Sequence, residues 1–358
     1  MKKVHVKKID RHSRQEVNRF LRFPLQLYGD TPSIRNWISK TRGLINTTGG
    51  YDLYVAEVDN RVNGRMSICV DHAVNGNDNQ PVIKVGLFEV VEDYDVFRSM
   101  MDFAKSFTGK SGNILFPMHV STWYPYRFSS GGNDRFTFFF ENPDKPYYNE
   151  YAKRYGIGQV YTYKSILSHD IERVIHKNHK YYKKAEQDGF SFLPFDTSRP
   201  EAMLRILYDI SIRAFSDNLF YTPIEWEDFY NLHIGAVKMI DEDLFTFALD
   251  KNGDPVAFCF SPPDYTGIFE RFRLNTPRGK VGFVLNKNKS RGIIIKTVAV
   301  LPEYRGRGLQ GALTFIHAAE AQKRNHEYVI GALIYTGNSS PKVLGEPVIE
   351  KEYELYTM

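Results

Sequence analysis

Apolar and polar positions along the chain predict the same order of elements twice. In each half a strand comes first, and two helices, paired strands, a further strand, a helix and closing strands follow. The first round predicts strands at 1–12, 51–58, 61–70, 82–91, 113–120 and 135–140, and helices at 14–21, 32–38 and 96–107. The second predicts strands at 190–195, 244–249, 255–260, 292–301, 328–335 and 350–356, and helices at 201–215, 223–240 and from 308. Such a repeat indicates an α+β protein built by duplication.

One stretch of the second round carries a chemical signal. Residues 292–295 predict a buried strand, and apolar residues at helical spacing begin at Leu309. No Ser, Thr, Asp or Asn between 300 and 313 caps the helix start, so its first N–H groups lack a side-chain partner. The glycine-rich turn between strand and helix also carries Arg305 and Arg307. Because a helix start favours negative charge, this stretch predicts a phosphate-binding turn.

The residues of this turn match the patterns of two kinds of binding site. Gly306, Gly308 and Gly311 match the dinucleotide-binding pattern G-x-G-x-x-G. Only about fifty residues follow, too few for the further βαβ units of a doubly wound sheet. Residues 300–308 (Val-x-Pro-x-x-Arg-Gly-x-Gly), set between strand and helix, instead resemble motif A of the GNAT superfamily of N-acetyltransferases. A helix start that binds nothing is the third interpretation.

The resemblance implies a site for acetyl-CoA or another acyl-CoA, without a metal. In that family the turn amides bind the pyrophosphate, and the backbone of the preceding strand pairs with the pantetheine arm. Gln310 stands where the family usually has Gly or Ala, with Gly311 one place later. The cofactor-binding residues that the resemblance implies are Val298, Val300, Arg305, Gly306, Arg307, Gly308, Leu309, Gln310, Gly311 and Asn338.

We therefore predict an α+β fold of two GNAT-like domains, each a mixed, mostly antiparallel sheet flanked by helices. The first domain covers residues 1–166, a basic linker helix covers 167–188, and the second domain covers 189–358. The linker's charge comes from Arg173, His176, Lys177, His179, Lys180, Lys183 and Lys184. A solvated helix is the simpler interpretation of this segment, and a phosphate- or RNA-binding stripe is the alternative.

The first copy departs from the motif where a cofactor would bind. Residues 88–95 contain no glycine or arginine, and they place Glu92, Asp93 and Asp95 where phosphates would lie. Acids at a helix start complement its dipole and would repel CoA. We expect a degenerate domain without a cofactor site. Residues 116–122 and 142–156 add a loose resemblance to bacterial two-domain GNAT-like proteins.

The composition and net charge of the chain restrict the classes of partner that we expect it to bind. The chain has 358 residues, which suits two domains, and a net charge of +5, which suits an anionic ligand but does not indicate nucleic acid. Cys69 and Cys259 are the only cysteines, which argues against a disulfide framework or a cysteine metal site. The start of the chain has no apolar signal core, and no run of about 18 apolar residues occurs. We expect a cytoplasmic protein with no membrane partner.

Acyl transfer to an amine needs a held amine, a route for its proton and donors for the developing oxyanion. The resemblance implies direct attack, with the N–H of Val298 or Val300 polarising the carbonyl. Residues 292–301 contain no acid, so the proton acceptor must lie elsewhere. Glu270 is our candidate base and Asp264 the second choice, with a salt-bridged structural role as the alternative for Glu270.

The proton donor for the thiolate in GNAT enzymes is often a tyrosine on the helix after the next strand. Here that segment begins at Asn338, but Gly345 stands near the expected tyrosine. Tyr335 is our candidate acid, with Tyr353 and Tyr356 as further choices. Each of the three has a packing role as its alternative.

Three functions follow from these residues. The first is an acyl-CoA-dependent N-acyltransferase, with acetyl transfer to the primary amine of a small molecule or peptide by direct attack. The second is an aminoacyl-tRNA-dependent transferase, which the basic linker would suit. The third is a non-catalytic acyl-CoA-binding or interaction module. Aromatic residues between 215 and 230 are candidates for the acceptor cleft or for the core: Phe220, Tyr221, Trp226 and Phe229.

Overall fold

The computed structural model describes residues 3–71, 81–108, 113–130, 136–156, 158–337, 344 and 349–358. Its strands are β1 (His5–Lys8), β2 (Asp52–Val58), β3 (Arg61–Asp71), β4 (Val82–Val90), β5 (Ile114–Phe116), β6 (Phe128–Ser129), β7 (Gln159–Ser168), β8 (Ser191–Pro194), β9 (Phe245–Leu249), β10 (Pro255–Phe260), β11 (Gly292–Ile295), β12 (Thr297–Val300), β13 (Tyr328–Tyr335) and β14 (Ile349–Thr357). Its helices are α1 (Arg14–Tyr28), α2 (Pro32–Thr47), α3 (Tyr94–Lys105), α4 (Tyr147–Tyr155), α5 (Ile171–Gln187), α6 (Pro200–Ala214), α7 (Trp226–His233), α8 (Thr266–Phe269), α9 (Pro277–Asn286) and α10 (Leu309–Lys323).

Two sheets organise these elements. A ten-stranded mixed sheet has the order β1-β2-β3-β4-β5-β14-β7-β13-β11, with β6 paired to β14 at its side. A four-stranded antiparallel sheet has the order β12-β10-β9-β8. Among the described strands only the pairs β4–β5 and β11–β13 are parallel. The predicted α+β class, with mixed and mostly antiparallel sheets, is confirmed.

The two halves of the chain exchange strands in the large sheet. The C-terminal strand β14 lies beside β5 of the first half, and its register runs from Tyr356 opposite Phe116 to Thr357 opposite Leu115. Strand β7, which precedes the second half, lies between β14 and β13. Each half therefore completes its sheet with a strand from the other.

Side chains at the helix starts set several boundaries. Ser13 and Thr31 each accept a hydrogen bond from an N–H in the first turn of α1 and α2. Helix α1 continues through Pro24, where the sequence predicted its end. Proline costs one backbone hydrogen bond, but the flanking turns bury Phe20, Leu21 and Phe23, which stabilises the helix on both sides.

Three other sequence predictions need correction. The strand predicted at 113–120 is limited to β5, and residues 136–140 form no strand. Phe138 is instead buried in an aromatic cluster, so side-chain burial rather than strand pairing fixes this segment. The helix predicted at 223–240 is shorter in the structure. Helix α7 ends at His233, and Ile234–Met239 form a 3-10 helix. Strand β7 was not predicted, because polar residues interrupt its alternation.

Alternation along the strands builds the core of the first half. Leu53 and Val55 of β2 pack on one face with α1 and α2, whereas Tyr54 and Ala56 pack on the other with α3. Between the halves, the buried ammonium of Lys84 pairs with Asp71 at 2.5 Å and donates to Thr222 Oγ1 at 3.0 Å. The halves are thus joined by buried polar contacts as well as by the shared sheet.

In the first half, the chain itself occupies the start of α3 and the space beside β4. Asp93 caps α3 by accepting a hydrogen bond from Asp95 N at 3.0 Å. Beyond β5, Met118 N donates to Val85 O at 2.7 Å, so the chain stays against β4 instead of diverging from it. A Cβ on Gly86 would lie 2.4 Å from the backbone of His119. The absence of a cofactor site from the first copy stays a prediction, and these contacts are the features of the first half that bear on it.

This close approach predicts opposite effects for two glycine substitutions. Gly86→Ala should lower the free energy of unfolding by about 1–3 kcal/mol, because its methyl group meets fixed backbone. Gly43→Ala, in the middle of α2 with no atom within 4 Å of the added Cβ, should raise it by up to about 1 kcal/mol. Urea denaturation followed by tryptophan fluorescence measures both. Equal effects of the two variants would contradict the close approach of Gly86 to the backbone of His119.

Candidate functional site

The second half contains a wedge between two diverging strands. Strand β11 pairs in parallel with β13, from Gly292 opposite Tyr328 to Ile295 opposite Gly331. After Lys296 the chain continues as β12, which among the described strands pairs only with β10. Strand β13 stays beside β7 up to Tyr335. The wedge therefore opens at Lys296, with β12 on one side and β13 on the other.

The backbone of β12 presents an open edge to this wedge. Leu301 N donates to Val256 O at 2.9 Å on the β10 side. Because N–H groups alternate in direction along an antiparallel strand, Ala299 faces β10 while Val298 and Val300 point their N–H and C=O groups the other way. No described strand pairs with that edge. Both valines named from the sequence thus offer main-chain groups to the wedge.

The turn after β12 leads into a helix start without a cap. Gly306 and Gly308 have φ of +78° and +86°, which glycine adopts without strain, and Gly308 is the N-cap of α10. The first helical bond runs from Ala312 N to Gly308 O at 3.0 Å. In the described part of the chain, the N–H groups of residues 306–311 have no acceptor. Several free N–H groups at one helix start form an anion-binding cradle.

Helix α5 forms one wall of the cradle. A Cβ on Gly308 or Gly311 would lie 2.9 Å or 2.5 Å from ring atoms of Tyr181, so both glycines allow α5 and α10 to pack closely. The ammonium of Lys180 lies 5.1 Å from the centre of the same ring. The sequence placed Lys180 in a linker, and the packing of α5 on α10 brings it near the turn. Gly311 therefore has a packing role that the motif comparison missed.

The two arginines of the turn differ in their surroundings. Arg305 donates to Ala214 O at 2.8 Å, at the end of α6, and pairs with Asp217 at 3.1 Å. Its side chain thus fixes the turn to α6. Arg307 is exposed, and its guanidinium lies 4.9 Å from the ring centre of Tyr304. Of the two arginines, Arg307 is the one whose charge remains available to a ligand at the turn.

Buried polar contacts hold α10 against the small sheet. His317 is fully buried, with Nδ1 2.6 Å from Ser261 Oγ and Nε2 3.0 Å from Thr246 Oγ1. Burial lowers the pKa of His317 to about 3, so the imidazole is neutral at physiological pH. These contacts fix the direction of α10 and therefore the position of its free N–H groups.

Solved structures share the overall fold of this chain, although no protein-family model and no curated protein matches the sequence. A GCN5-related glucosamine N-acetyltransferase region of a fungal multi-domain GH3 β-N-acetylglucosaminidase aligns with 100% of this chain at 13% identity and a TM-score of 0.56, and the alignment covers 38% of that longer chain. A tandem GNAT protein from the clavulanic acid biosynthesis pathway aligns over 99% of this chain and 98% of its own, at 12% identity and a TM-score of 0.51. A GCN5-related N-acetyltransferase from Sphaerobacter thermophilus aligns over 99% and 95%, at 12% identity and a TM-score of 0.52. This chain has a two-domain GNAT-like fold.

Within the GNAT-like fold, the acid and base candidates lie at different places. Glu270 is exposed just after α8, and its side chain makes no hydrogen bond or ion pair in the described part of the chain. Tyr335 ends β13 on the far side of the wedge, with its ring 5.4 Å from that of Tyr163. Asp264 is buried and accepts hydrogen bonds from Phe139 N, Thr266 and Tyr328, which is a structural role. Asn338 lies outside the described residues.

Lys296 marks the opening of the wedge, and the sequence analysis did not single it out. Burial, with the nearby charges of Arg127 and Lys40, lowers the pKa of Lys296 to about 7. The ammonium lies 5.5 Å from the ring centre of Phe140. None of the three cations forms an ion pair within the described ranges, so no carboxylate there neutralises their charge.

Arg127 connects this cluster to the opposite strand. Its Nη1 donates to Leu333 O at 3.3 Å, and its guanidinium lies 3.9 Å and 4.4 Å from the ring centres of Tyr126 and Tyr163. Leu333 has a φ of +57° at the irregularity of β13. Positive φ at a residue other than glycine is costly and is found preferentially at functional sites. Cations from both halves thus meet where β12 and β13 separate.

No group of three or more His, Cys, Asp or Glu side chains that could hold a metal ion occurs among the described residues. The groups described at the candidate site are main-chain donors, cations and aromatic rings.

The lowered pKa of Lys296 predicts a pH-dependent stability difference. Between pH 7 and about 10 the unfolded state holds a proton on this lysine that the folded state lacks, so the folded state becomes more stable as the pH rises through this range. Lys296 therefore destabilises the folded state most below pH 7. Lys296→Met should therefore raise the melting temperature most at pH 6–7, and its advantage should shrink towards pH 10. Thermal melts across this range measure it.

The matched control for this measurement is Lys238→Met, at an exposed lysine without an ion pair in the described part of the chain. Its difference from the wild type should stay nearly constant with pH. A Lys296→Met difference that is equally flat would show that Lys296 is charged throughout.

Proposed function

We propose that the protein is an acyl-CoA-dependent N-acyltransferase that uses the second half as its cofactor site. The observation that carries this proposal is the combination of a bare helix start and an open strand edge on the same wedge. A pyrophosphate is a good acceptor for the N–H groups of residues 306–311, with Arg307 and Lys180 nearby. An amide-bearing pantetheine arm suits the free N–H and C=O groups of Val298 and Val300.

In the proposed complex, the thioester lies near the opening of the wedge. A main-chain N–H of β12, on Val298 or Val300, polarises the thioester carbonyl, and the attacking amine enters from the side of Arg127 and Phe140. The amine must lose a proton as the new bond forms. Lys296, with its pKa lowered to about 7, is a neutral amine in part of the population and is better placed for this proton than the exposed Glu270. Tyr335 remains the proposed donor to the thiolate.

Two of the aromatic residues proposed for the acceptor cleft, Phe229 and Phe220, have different surroundings. Phe229 is buried in the core of the second half, where it packs against Trp123 and Tyr208. Phe220 instead packs edge-on against Tyr161 at 4.8 Å. The acceptor side of the proposed site is therefore formed by Phe140 and the cations around Lys296, rather than by α7.

One observation favours a second candidate, a non-catalytic acyl-CoA-binding module. The described residues place no carboxylate beside Lys296, and the exposed Glu270 has no partner there that would orient it. Such a module would bind acyl-CoA without releasing the thiol to any amine. No specific observation favours the aminoacyl-tRNA alternative. Two cations of the basic helix α5, Lys183 and Lys184, pair with Glu186 and Asp188 of the same chain.

Binding of the cofactor is tested by a charge placed at the second position of α10. Gln310→Glu should weaken binding of acetyl-CoA at least 10-fold, because a carboxylate competes for the free N–H groups. The same change should leave the melting temperature equal or slightly higher, since an acid suits a helix start. Isothermal titration with acetyl-CoA measures the affinity.

The control Gln322→Glu makes the same chemical change at an exposed site in the last turn of α10. It should leave the affinity unchanged and lower the stability slightly. Absence of binding by the wild type at millimolar acetyl-CoA, or equal losses for both variants, would overturn the assignment of the turn.

Catalysis is tested at the opening of the wedge. Lys296→Arg keeps a cation but cannot take up a proton near neutral pH, so kcat should fall by about 10²-fold or more while affinity for acetyl-CoA stays unchanged. Glu270→Gln and Tyr335→Phe, measured in parallel, separate the three candidates. The measurement is thiol release from acetyl-CoA over a panel of primary amines. Full activity of Lys296→Arg would exclude Lys296 as the base, and binding without turnover in the wild type would favour the non-catalytic module.

A further inference from the structure

Helix α9 exposes three aliphatic side chains on one face. Val281, Val284 and Leu285 are 59%, 64% and 70% exposed. The other exposed large apolar side chains in the described part of the chain reach only 36–39%. Positions i, i+3 and i+4 lie on the same side of a helix, so the three form one continuous patch. A patch of this kind marks an interaction surface.

The opposite face of α9 is fixed against the protein. Phe283 is buried with its ring 5.1 Å from that of Tyr265. A Cβ on Gly279 would lie 1.8 Å from Arg273 O, and one on Gly282 would lie 2.4 Å from the ring of Phe272. The helix therefore cannot rotate to bury its aliphatic face.

Asn36, a buried residue of α2, connects the segment between α8 and α9 to the first half. Asn36 of α2 donates to Phe269 O at 3.2 Å and to Phe272 O at 2.7 Å. Its Oδ1 accepts from Leu274 N at 2.7 Å. The connection between β10 and β11, which includes α8 and α9, is thus held by both halves, and the aliphatic patch is a rigid part of the surface.

Positive charge surrounds the patch. Residues 270–291 contain seven Lys and Arg residues and one acid, Glu270. Arg273 pairs with Asp30, and Arg291 pairs with Glu327. The other five are exposed and form no ion pair in the described part of the chain: Arg271, Arg278, Lys280, Lys287 and Lys289. The net charge of +5 for the whole chain is thus unevenly distributed, with a strong excess here.

We propose that this basic-apolar surface, formed by Arg278, Lys280, Val281, Val284, Leu285, Lys287 and Lys289, binds the surface of an anionic lipid bilayer. A helix with an aliphatic face and flanking cations lies in the plane of the membrane interface, with its side chains in the acyl boundary and its cations at the headgroups. Charge complementarity selects an anionic over a neutral bilayer. The patch is aliphatic, whereas single-stranded nucleic acid is bound through aromatic stacking, so the side chains favour lipid over RNA.

This proposal changes the expectation of no membrane partner. That expectation came from the lack of a long apolar run, and in the described ranges no helix has the length and apolarity to cross a bilayer. A helix that lies on the surface of a bilayer needs neither a long apolar run nor the length to cross it. The inference is independent of the proposed acyl-CoA site, because none of its residues belongs to the wedge or the turn.

The test uses the full chain and sedimentation with vesicles of phosphatidylcholine alone or with about one third phosphatidylserine or phosphatidylglycerol. Val284→Ser/Leu285→Ser removes the aliphatic part and keeps every charge. Arg278→Gln/Lys280→Gln removes two charges and keeps the aliphatic part. The matched control is Arg14→Gln/Arg22→Gln, which removes two charges from exposed positions of α1. Melting temperatures establish that all variants fold.

We expect binding to both kinds of anionic vesicle, at least 10-fold weaker binding to neutral vesicles, and weaker binding as salt rises. Each α9 variant should lose at least 10-fold in affinity, and the α1 control should behave as the wild type. Equal binding by the Ser variant, or equal losses with the α1 control, would overturn the proposal. Binding to a homopolymeric RNA with the same sensitivity, or a dimer that dissociates in the Ser variant without any vesicle binding, would assign the surface to another partner.

Discussion

Unpaired main-chain groups are the constraint on which this structure depends. Backbone N–H and C=O groups in a folded protein need partners, and sheets and helices normally supply them. Where β12 leaves β11 at Lys296, one strand edge loses its neighbour, and a few residues later α10 begins without a cap. Only the short segment 301–308 separates the two sets of free groups along the chain. A ligand with phosphates at one end and amides along its length would satisfy both.

The first half shows how the same scaffold behaves when these groups are satisfied from within. There a carboxylate caps the equivalent helix, and the chain after β5 hydrogen-bonds to β4 through Met118 and Val85. The difference between the halves is therefore local. It lies in a few residues at a strand end and a helix start, while the sheet and the flanking helices remain comparable.

Local sequence patterns predicted much of the fold and the backbone part of the candidate site. The glycines, the absence of a cap and the alternating strands are short-range features, which is why the turn at 306–311 was found. Lys296 was missed because its surroundings come from distant segments: Arg127 and Lys40 belong to the first half, and only the folded chain brings them together. The roles of Arg305 and Gly311 were likewise decided by contacts with α6 and α5, which no spacing rule contains. The pairing of strand β7 could not be predicted either, because its neighbour β14 comes from the far end of the chain.

The exchange of β7 and β14 has a consequence for the history of the molecule. Neither half completes the large sheet by itself, so a separated half would expose a bare edge that attracts other chains. In an ancestor with one copy per chain, the same pairing would have required two identical chains, each lending a strand to the other. Fusion into one polypeptide guarantees that partner. Once it is guaranteed, the two copies are free to diverge, and each still completes the sheet of its twin.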